Sequence, residues 1–484
     1  MSVLGRTVKN TAALTAADII SKILNMAFIA VLARQLTPSD FGGYTTITSL
    51  IWFMGPLADL GISQVLIREI AADRTKARSL LTNALLTVGF LTCIAGGLLV
   101  VIAAAGNYPA SIRPLICLSA FAVIGNTVMQ TASSALRGLE RMEIQALLTS
   151  SLLLLSSLAG IIAALTGQGL PVQIAILVIS SLLGAMFVLT VIHLRFVPLQ
   201  WTLDLRFCWS LITQAIPIFI LIAYSVFLRW SDTLILGQLR PLDDVAVYGA
   251  AQKVIDLAMV FNASASAALF PVLASRWRVS NEDTKRLYTR SLRFFSAFAI
   301  AAAVGLTMIA EPIIVTIFGA AYLPTVLPLK LLAWAFFFQV VSGPMGTLLV
   351  AAGDQFKKFV PLIGLVILGN ILLNLSLDSY FGYMGAASAY LVTALAIFLV
   401  RQVAAGWYFD HPPRLGILMW RPVLAGIGMG SGLYFLRSAS IFISIPIGMI
   451  IFVSLLAVLG ELKEEPYRGL VALVGTILQP KFRA

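Results

Sequence analysis

The sequence predicts an all-α polytopic membrane protein. About fourteen transmembrane helices form two six-helix bundles in parallel pseudo-repeat around a central cavity, with two C-terminal helices added. Three observations lead there. Of 484 residues, 60% are hydrophobic and 11% charged, with a mean hydropathy of +0.96; ordinary globular chains are about a quarter charged. The apolar residues recur in blocks of about 20, long enough to cross a bilayer core of roughly 30 Å as helices. A short motif recurs at an offset of about 204 residues.

Apolar runs between charged or Gly/Pro breaks place the spans at 11–34, 43–66, 80–105, 114–136, 144–166, 171–194, 210–237, 246–273, 291–316, 326–351, 359–378, 383–408, 417–436 and 441–460. The first run is too long for a signal-peptide core and contains Asp18 and Lys22, so it reads as a retained span. With both termini inside, the cytoplasmic segments collect 24 Lys and Arg and the outer ones four: Arg34, Arg113, Arg240 and Arg437. That asymmetry is the positive-inside pattern. The net charge of +12 is spread over short loops rather than gathered on one domain, which fits anionic lipid headgroups and excludes nucleic acid as a partner. The most basic connection, "SRWRVSNEDTKRLYTRSLRFF" (275–295), reads as an interfacial loop.

The repeat rests on two echoes. "QLTPSDFGGY" (35–44) follows the first span and "QLRPLDDVAVY" (238–248) the seventh; "ALRGLERMEIQ" (135–145) follows the fourth and "VAAGDQFKKFV" (350–360) the tenth. Six is even, so both halves enter the membrane in the same direction, as in parallel-repeat transporters, an architecture suited to alternating access. The divisions are 1–197, 198–410 and 411–484, the last holding two extra helices and a tail.

Nothing points to catalysis. Walker A, GxSxG and HExxH sequences are absent, so no enzyme activity and no cofactor are expected. Cys93, Cys117 and Cys208 give neither a disulfide framework nor metal-ligand spacing, and His193 and His411 sit near helix ends without a partner motif.

The chemistry lies in charges within the spans, each costing about 2.5–3.5 kcal/mol at a helix centre. Thr15, Asp18, Lys22 and Asn25 form one helical stripe; Ser225, Arg229 and Asp232 form another. Lys253 and Asp256 are three apart beside Gln252, Asp59 lies in the second span, and Lys330 precedes Trp334 by a turn. Span 4 adds Asn126, Gln130, Ser133 and Arg137, and span 11 adds Asn370, Asn374 and Asp378. The plain alternative is mutual neutralisation that glues helices together.

"LARQLTPSDFGGYTTITSL", "LADLGISQVLIREIA" (57–71), "FLRWSDTLILGQL", "DDVAVYGAAQKV", "LFPVLASRW" and "FGYMGAASAY" (381–390) together resemble polysaccharide-unit flippases of the Wzx type. These belong to the multidrug/oligosaccharidyl-lipid/polysaccharide (MOP) exporter superfamily. Gly382, Gly385, Ala386 and Ala387 match its GxxGAA element; the first-half counterpart, around "GQGLPVQIA", is degraded. The resemblance implies export of undecaprenyl-diphosphate-linked oligosaccharide across a bacterial cytoplasmic membrane, with H+ or Na+ antiport and a polysaccharide polymerase complex as further partners. Alternatives are a peptidoglycan lipid-precursor flippase, a multidrug antiporter, or a non-transporting scaffold. Lys22, Asn25, Arg229, Lys253 and Lys330 are the candidate substrate ligands. A cation-rich path suits a diphosphate, which Arg holds by paired donors and Lys as a point charge. Asp18, Asp59, Asp232 and Asp256 are the ion-coupling candidates. No metal site is expected.

Overall fold

The computed structural model describes residues 21–199, 203–277, 280–351, 360–409, 411–436 and 440–464. Thr15, Asp18 and most of the 350–360 echo lie outside them. All regular structure among the described residues is helical. Large apolar side chains face outward along the helices, including Phe90 (68% exposed), Leu147 (68%) and Phe442 (77%). Water would penalise such surfaces, whereas lipid tails solvate them. Ten helices are long and apolar enough to span a bilayer, or twelve when two bent pairs each count as one span. Of the fourteen expected, the first begins outside the described residues. The thirteenth is a helix, Leu415–Phe435, made less apolar by Arg421.

The chain forms two compact units, Met1–Gly249 and Ala250–Ala484. In the first, α1 (21–35) leads into α2 (Pro38–Asp59). The motif "LTPSD" is a helix start: Thr37 Oγ1 accepts from the Asp40 amide at 3.1 Å and donates to its carboxylate at 2.8 Å. Pro38 fills the first turn, where its missing N–H would have no intrahelical partner anyway. From Phe41 to Ile51 α2 is buried all round. It is enclosed by α4 (Ala77–Ala105), α5 (Arg113–Gly138), α7 (Leu170–Arg195) and α8 (Leu205–Leu239).

The motif's echo starts α9 (Leu242–Trp277), with Asp243 and Asp244 in the first turn and Arg240 bridged to Asp244 at 3.3 Å. The two motifs meet. A Cβ on Gly42 would collide with the Leu242 carbonyl, and one on Gly249 would lie 2.7 Å from Thr45. The glycines let the two helix starts cross backbone to backbone, as membrane helices do where small residues face each other.

The expected span 43–66 is broken. Leu60 adopts φ 49° and Gly61 φ 82°, and α3 (Ile62–Ala72) departs at 47° from α2. Ile62, Val65, Leu66 and Ile70 of α3 then fill a core with α4, α5, α7 and α8. Helix α6 (Met142–Leu165) packs on α7. Helix α8 is bent by 55° between Leu205–Ile220 and Ile222–Leu239. The bend falls near Pro217, which removes one backbone hydrogen bond and crowds the preceding turn.

In the second unit, α10 (Asn281–Met308) packs on α12 (Val326–Ala351) and α15 (Leu415–Phe435); α11 (Ala310–Ile317) is a short element after α10. Helix α14 (Tyr383–Tyr408) joins α12 to α13 (Val360–Phe381), and α16 (Ile441–Val458) packs on α15. At the GxxGAA element Gly385 rides directly on the Leu377 backbone, with Ala386 and Ala387 fully buried. The basic connection expected as a loop is mostly helix. Helix α9 runs to Trp277, and Ser280 caps α10 by accepting from the Asp283 amide at 3.1 Å, with Glu282 and Asp283 complementing the helix dipole.

Candidate functional site

Among the described residues, the first unit carries five of the candidates. Lys22 and Asn25 are half-buried, one turn apart on α1. Along the α8 stripe burial increases stepwise: Ser225 is exposed, Arg229 half-buried and Asp232 wholly buried. The Arg229 guanidinium lies 4.2 Å from the Trp230 ring centre, a cation–π contact. The Asp232 carboxylate accepts from the Tyr248 hydroxyl at 3.2 Å, and Tyr248 is itself fully buried. Tyr44, which matches Tyr248 in the repeated motif, meets Phe28 edge to face with ring centroids 6.1 Å apart.

Asp59, the fifth, sits at the α2–α3 break. Its carboxylate accepts from the Ser63 hydroxyl at 2.5 Å and from the Ser63 amide at 3.3 Å. Arg137 on α5 supplies the opposite charge. These contacts cap the start of α3, so here the carboxylate holds a kink in place.

In the second unit Lys253 and Asp256 are half-buried on α9 beside buried Gln252, and Lys330 is half-buried near the start of α12. The polar stripe of span 11 points at helix 383–408: Asn370, Asn374 and Asp378 are buried, and Asn370 donates to Thr393 at 3.0 Å. That stripe is helix glue of the kind expected of polar residues in membranes.

Two features escaped the sequence reading. Arg401, well inside α14, donates to Ser342 Oγ at 3.0 Å, its guanidinium lying against Gly346 of α12. A charge inside a clear span was the available signal. The other is an ionic cluster of Arg293, Arg421, Glu461 and Glu464. Arg293 reaches Glu464 at 2.8 Å and Glu461 at 3.5 Å, and Arg421 reaches both acids at 3.3 Å. The Glu461 side chain is 2% exposed, which its partners make tolerable. Arg293 beside Glu464 holds that carboxyl below the usual glutamate range. On the opposite sequence half, burial pushes the Tyr108 phenol up to about 12 in the 106–112 connection. Among the described residues no cluster of three His, Cys, Asp or Glu could hold a metal ion.

The second unit also contains an apolar cleft of about 720 Å³. Phe294 and Phe298 of α10, Met429 of α15, and Met449, Phe452 and Leu456 of α16 line it. Two of its walls are thus the helices that lie outside the six-helix repeat.

Residues 7–277, more than half the chain, match the family described as "Polysaccharide biosynthesis protein". The chain belongs to that family. The probable low-salt glycan biosynthesis flippase Agl15 of Haloferax volcanii is 25% identical to the chain over 260 residues, covering 51% of this chain and 54% of the relative. The chain therefore spans about half the length of that curated relative. Two solved structures share the fold. Lipid II flippase MurJ in an inward closed conformation superposes with TM-score 0.78 at 14% identity, over 95% of this chain and 100% of that one. An inward-facing MATE transporter of the MOP superfamily gives 0.63 at 14%, over 80% and 95%. This member of the polysaccharide biosynthesis family thus has the MOP-superfamily fold and is a multi-pass membrane protein.

Proposed function

We propose that this protein is a flippase that carries polyprenyl-diphosphate-linked oligosaccharide, undecaprenyl in a bacterial host, across the membrane by alternating access. The observation that carries this reading is the 720 Å³ apolar cleft. Its volume lies in the range of small-molecule sites, and its lining suits an isoprenoid chain rather than a hydrated cation or a free sugar. The family and the sequence likeness to a probable glycan flippase support the same substrate class.

The head group needs different partners. Lys22, Asn25 and Arg229 of the first unit, with Lys253 and Lys330 of the second, are the proposed ligands of the diphosphate and glycan during transport. Arginine and lysine in membrane helices persist against their insertion cost when they meet water and phosphate. Asp18, Asp59, Asp232 and Asp256 are the proposed coupling carboxylates for H+ or Na+. The excess of Lys and Arg in alternate connections orients both termini to the cytoplasm of the host's inner membrane. The proposed protein partners are glycan polymerases.

Proteoliposomes loaded with a fluorescent polyprenyl-diphosphate oligosaccharide test the reading. Wild-type protein should move the label between leaflets, and the Arg229→Ala, Lys22→Ala double variant should lose most of that rate while inserting normally. No flipping by wild type sinks transport and leaves a scaffold; full flipping by the double variant sinks the site. Rescue of cells lacking a peptidoglycan-precursor flippase, without rescue of a polysaccharide-unit mutant, would reassign the glycan.

A further inference from the structure

A second cavity, of about 480 Å³, has the opposite chemistry. It is lined by Glu282, Lys285, Arg286, Thr289, Arg290 and Arg293 of α10, with Lys463 and Glu464 from the 3-10 turn that follows α16. Five cations face two carboxylates, so the lining carries a net charge of +3 however the individual pairs are drawn. Both acids are engaged with cations: Glu282 with Arg286 at 3.5 Å, and Glu464 with Arg293 at 2.8 Å and Arg421 at 3.3 Å.

The cations are not dispersed. Arg286, Arg290 and Arg293 follow one another at spacings of four and three along one helix face, where like charges repel and weaken the helix. Positive-inside topology needs basic residues on the right side of the membrane, but it does not need them to converge on a concavity. A concave cationic surface focuses its field and concentrates anions. Arginine forks fit phosphate oxygens through paired donors, and Lys285 and Lys463 add point charges. Phosphate-bearing headgroups are held in such basic pockets between membrane helices.

We infer that this cavity is a binding site for a phosphate group, distinct in unit and residues from Lys22 and Arg229, carried by an anionic phospholipid headgroup or by a free phosphate compound. Because Arg293 and Glu464 belong both to the cavity and to the ionic cluster that holds the 461–464 turn, phosphate on Arg293 competes with Glu464. Occupancy is thereby linked to the anchoring of that turn.

The test uses the full chain, purified in detergent and stripped of lipid, with binding read by thermal shift and native mass spectrometry. Probes are phosphatidylglycerol, phosphatidylcholine and inorganic pyrophosphate. Wild type should bind phosphatidylglycerol, pyrophosphate or both, and the affinity should fall with added salt. The Lys285→Gln, Arg290→Gln variant should raise the apparent Kd by about tenfold, roughly 1.4 kcal/mol. A charge-preserving Lys285→Arg variant should bind within about twofold of wild type, which separates charge loss from misfolding. So should Arg276→Gln, Arg414→Gln, which removes two charges outside the cavity. Mutual competition identifies the phosphate as the shared determinant; binding of phosphatidylglycerol alone assigns a headgroup, and of pyrophosphate alone a soluble ligand. The site is overturned if phosphatidylcholine binds as well as both anions, if neither anion binds, or if the outside variant loses as much affinity as the pocket variant. The flipping assay plays no part in this test, so the site can fail while transport stands, and the reverse.

Discussion

Asp232 and Tyr248 are the most enclosed polar pair on the α8 side of the first unit, and their environment sets what each substitution should do. Tyr248→Phe leaves the ring packed and deletes the hydroxyl that donates to Asp232 at 3.2 Å. Losing a hydrogen bond to a buried carboxylate costs about 1–3 kcal/mol, so the variant should unfold earlier on heating in detergent. An unchanged melting temperature would mean that this bond contributes nothing. The coupling carboxylates make a separate prediction. In Asn variants of Asp18, Asp59, Asp232 and Asp256, at least one should flip substrate without responding to an imposed pH or sodium gradient. If all four respond as wild type does, the coupling residue lies elsewhere. Asp59 is the member whose contacts are most plainly structural, because Ser63 and Arg137 already engage it. Its Asn variant should lose stability as well as any coupling.

Among the elements, the crossing of the α2 and α9 starts is the most sensitive to added volume. Gly42→Ala puts a methyl group into the Leu242 backbone, and overpacking of this kind costs about 1–3 kcal/mol. Gly97→Ala, at a position with open space around it, should be neutral or slightly stabilising, because alanine loses less backbone entropy in a helix. Thermal unfolding of the two variants side by side checks this, and equal melting temperatures would contradict the packing. The echo of the two motifs was legible, although the expected spans opened at 43 and 246, inside the Thr37-capped start at Pro38 and the start at Leu242. The break inside 43–66 was not. It depends on Leu60 accepting a left-handed conformation, which non-glycine residues do only when surroundings compensate. Here Asp59 caps the new helix and α3 buries its apolar face, both of them tertiary effects.

At the scale of the whole chain, two measurements bear on architecture. Reporter fusions after residues 8, 280 and 470 should read cytoplasmic, and fusions near 108, 242 and 322 the other side, if the basic-residue asymmetry orients the protein. An outward C-terminus would break the even-span reading. The second measurement follows the ionic cluster that ties α10 and α15 to the turn after α16. Arg293 lowers the Glu464 carboxyl from its ordinary value of 4.5, so the attraction is present above that value and is lost as pH falls through the lowered one. Hydrogen exchange of residues 459–464, corrected for intrinsic rates, should therefore rise as pH drops below 4.5 in wild type. It should be faster and flatter in Glu464→Gln. Superimposable profiles would remove Glu464 from the anchor.

By itself the sequence determined the solvent, the helical class, and the approximate ends of most spans, because a bilayer demands long apolar helices and tolerates few charges. Two expected ranges, 326–351 and 383–408, coincide with Val326–Ala351 and Tyr383–Tyr408. The repeated motifs and the family resemblance also lay in local sequence. Only the tertiary structure decided which polar residues act as glue and which stand in other surroundings. Asn370 could be read as a cavity residue until Thr393 was found opposite it. Arg293 counted as one more basic loop residue until α10 proved to begin at Asn281 and Glu464, more than 160 positions away, came to lie against it. A side chain's spacing along a helix fixes the stripe it belongs to. What the stripe faces is set by helix crossings, and those depend on close backbone contacts and buried pairs contributed by segments far apart in the chain.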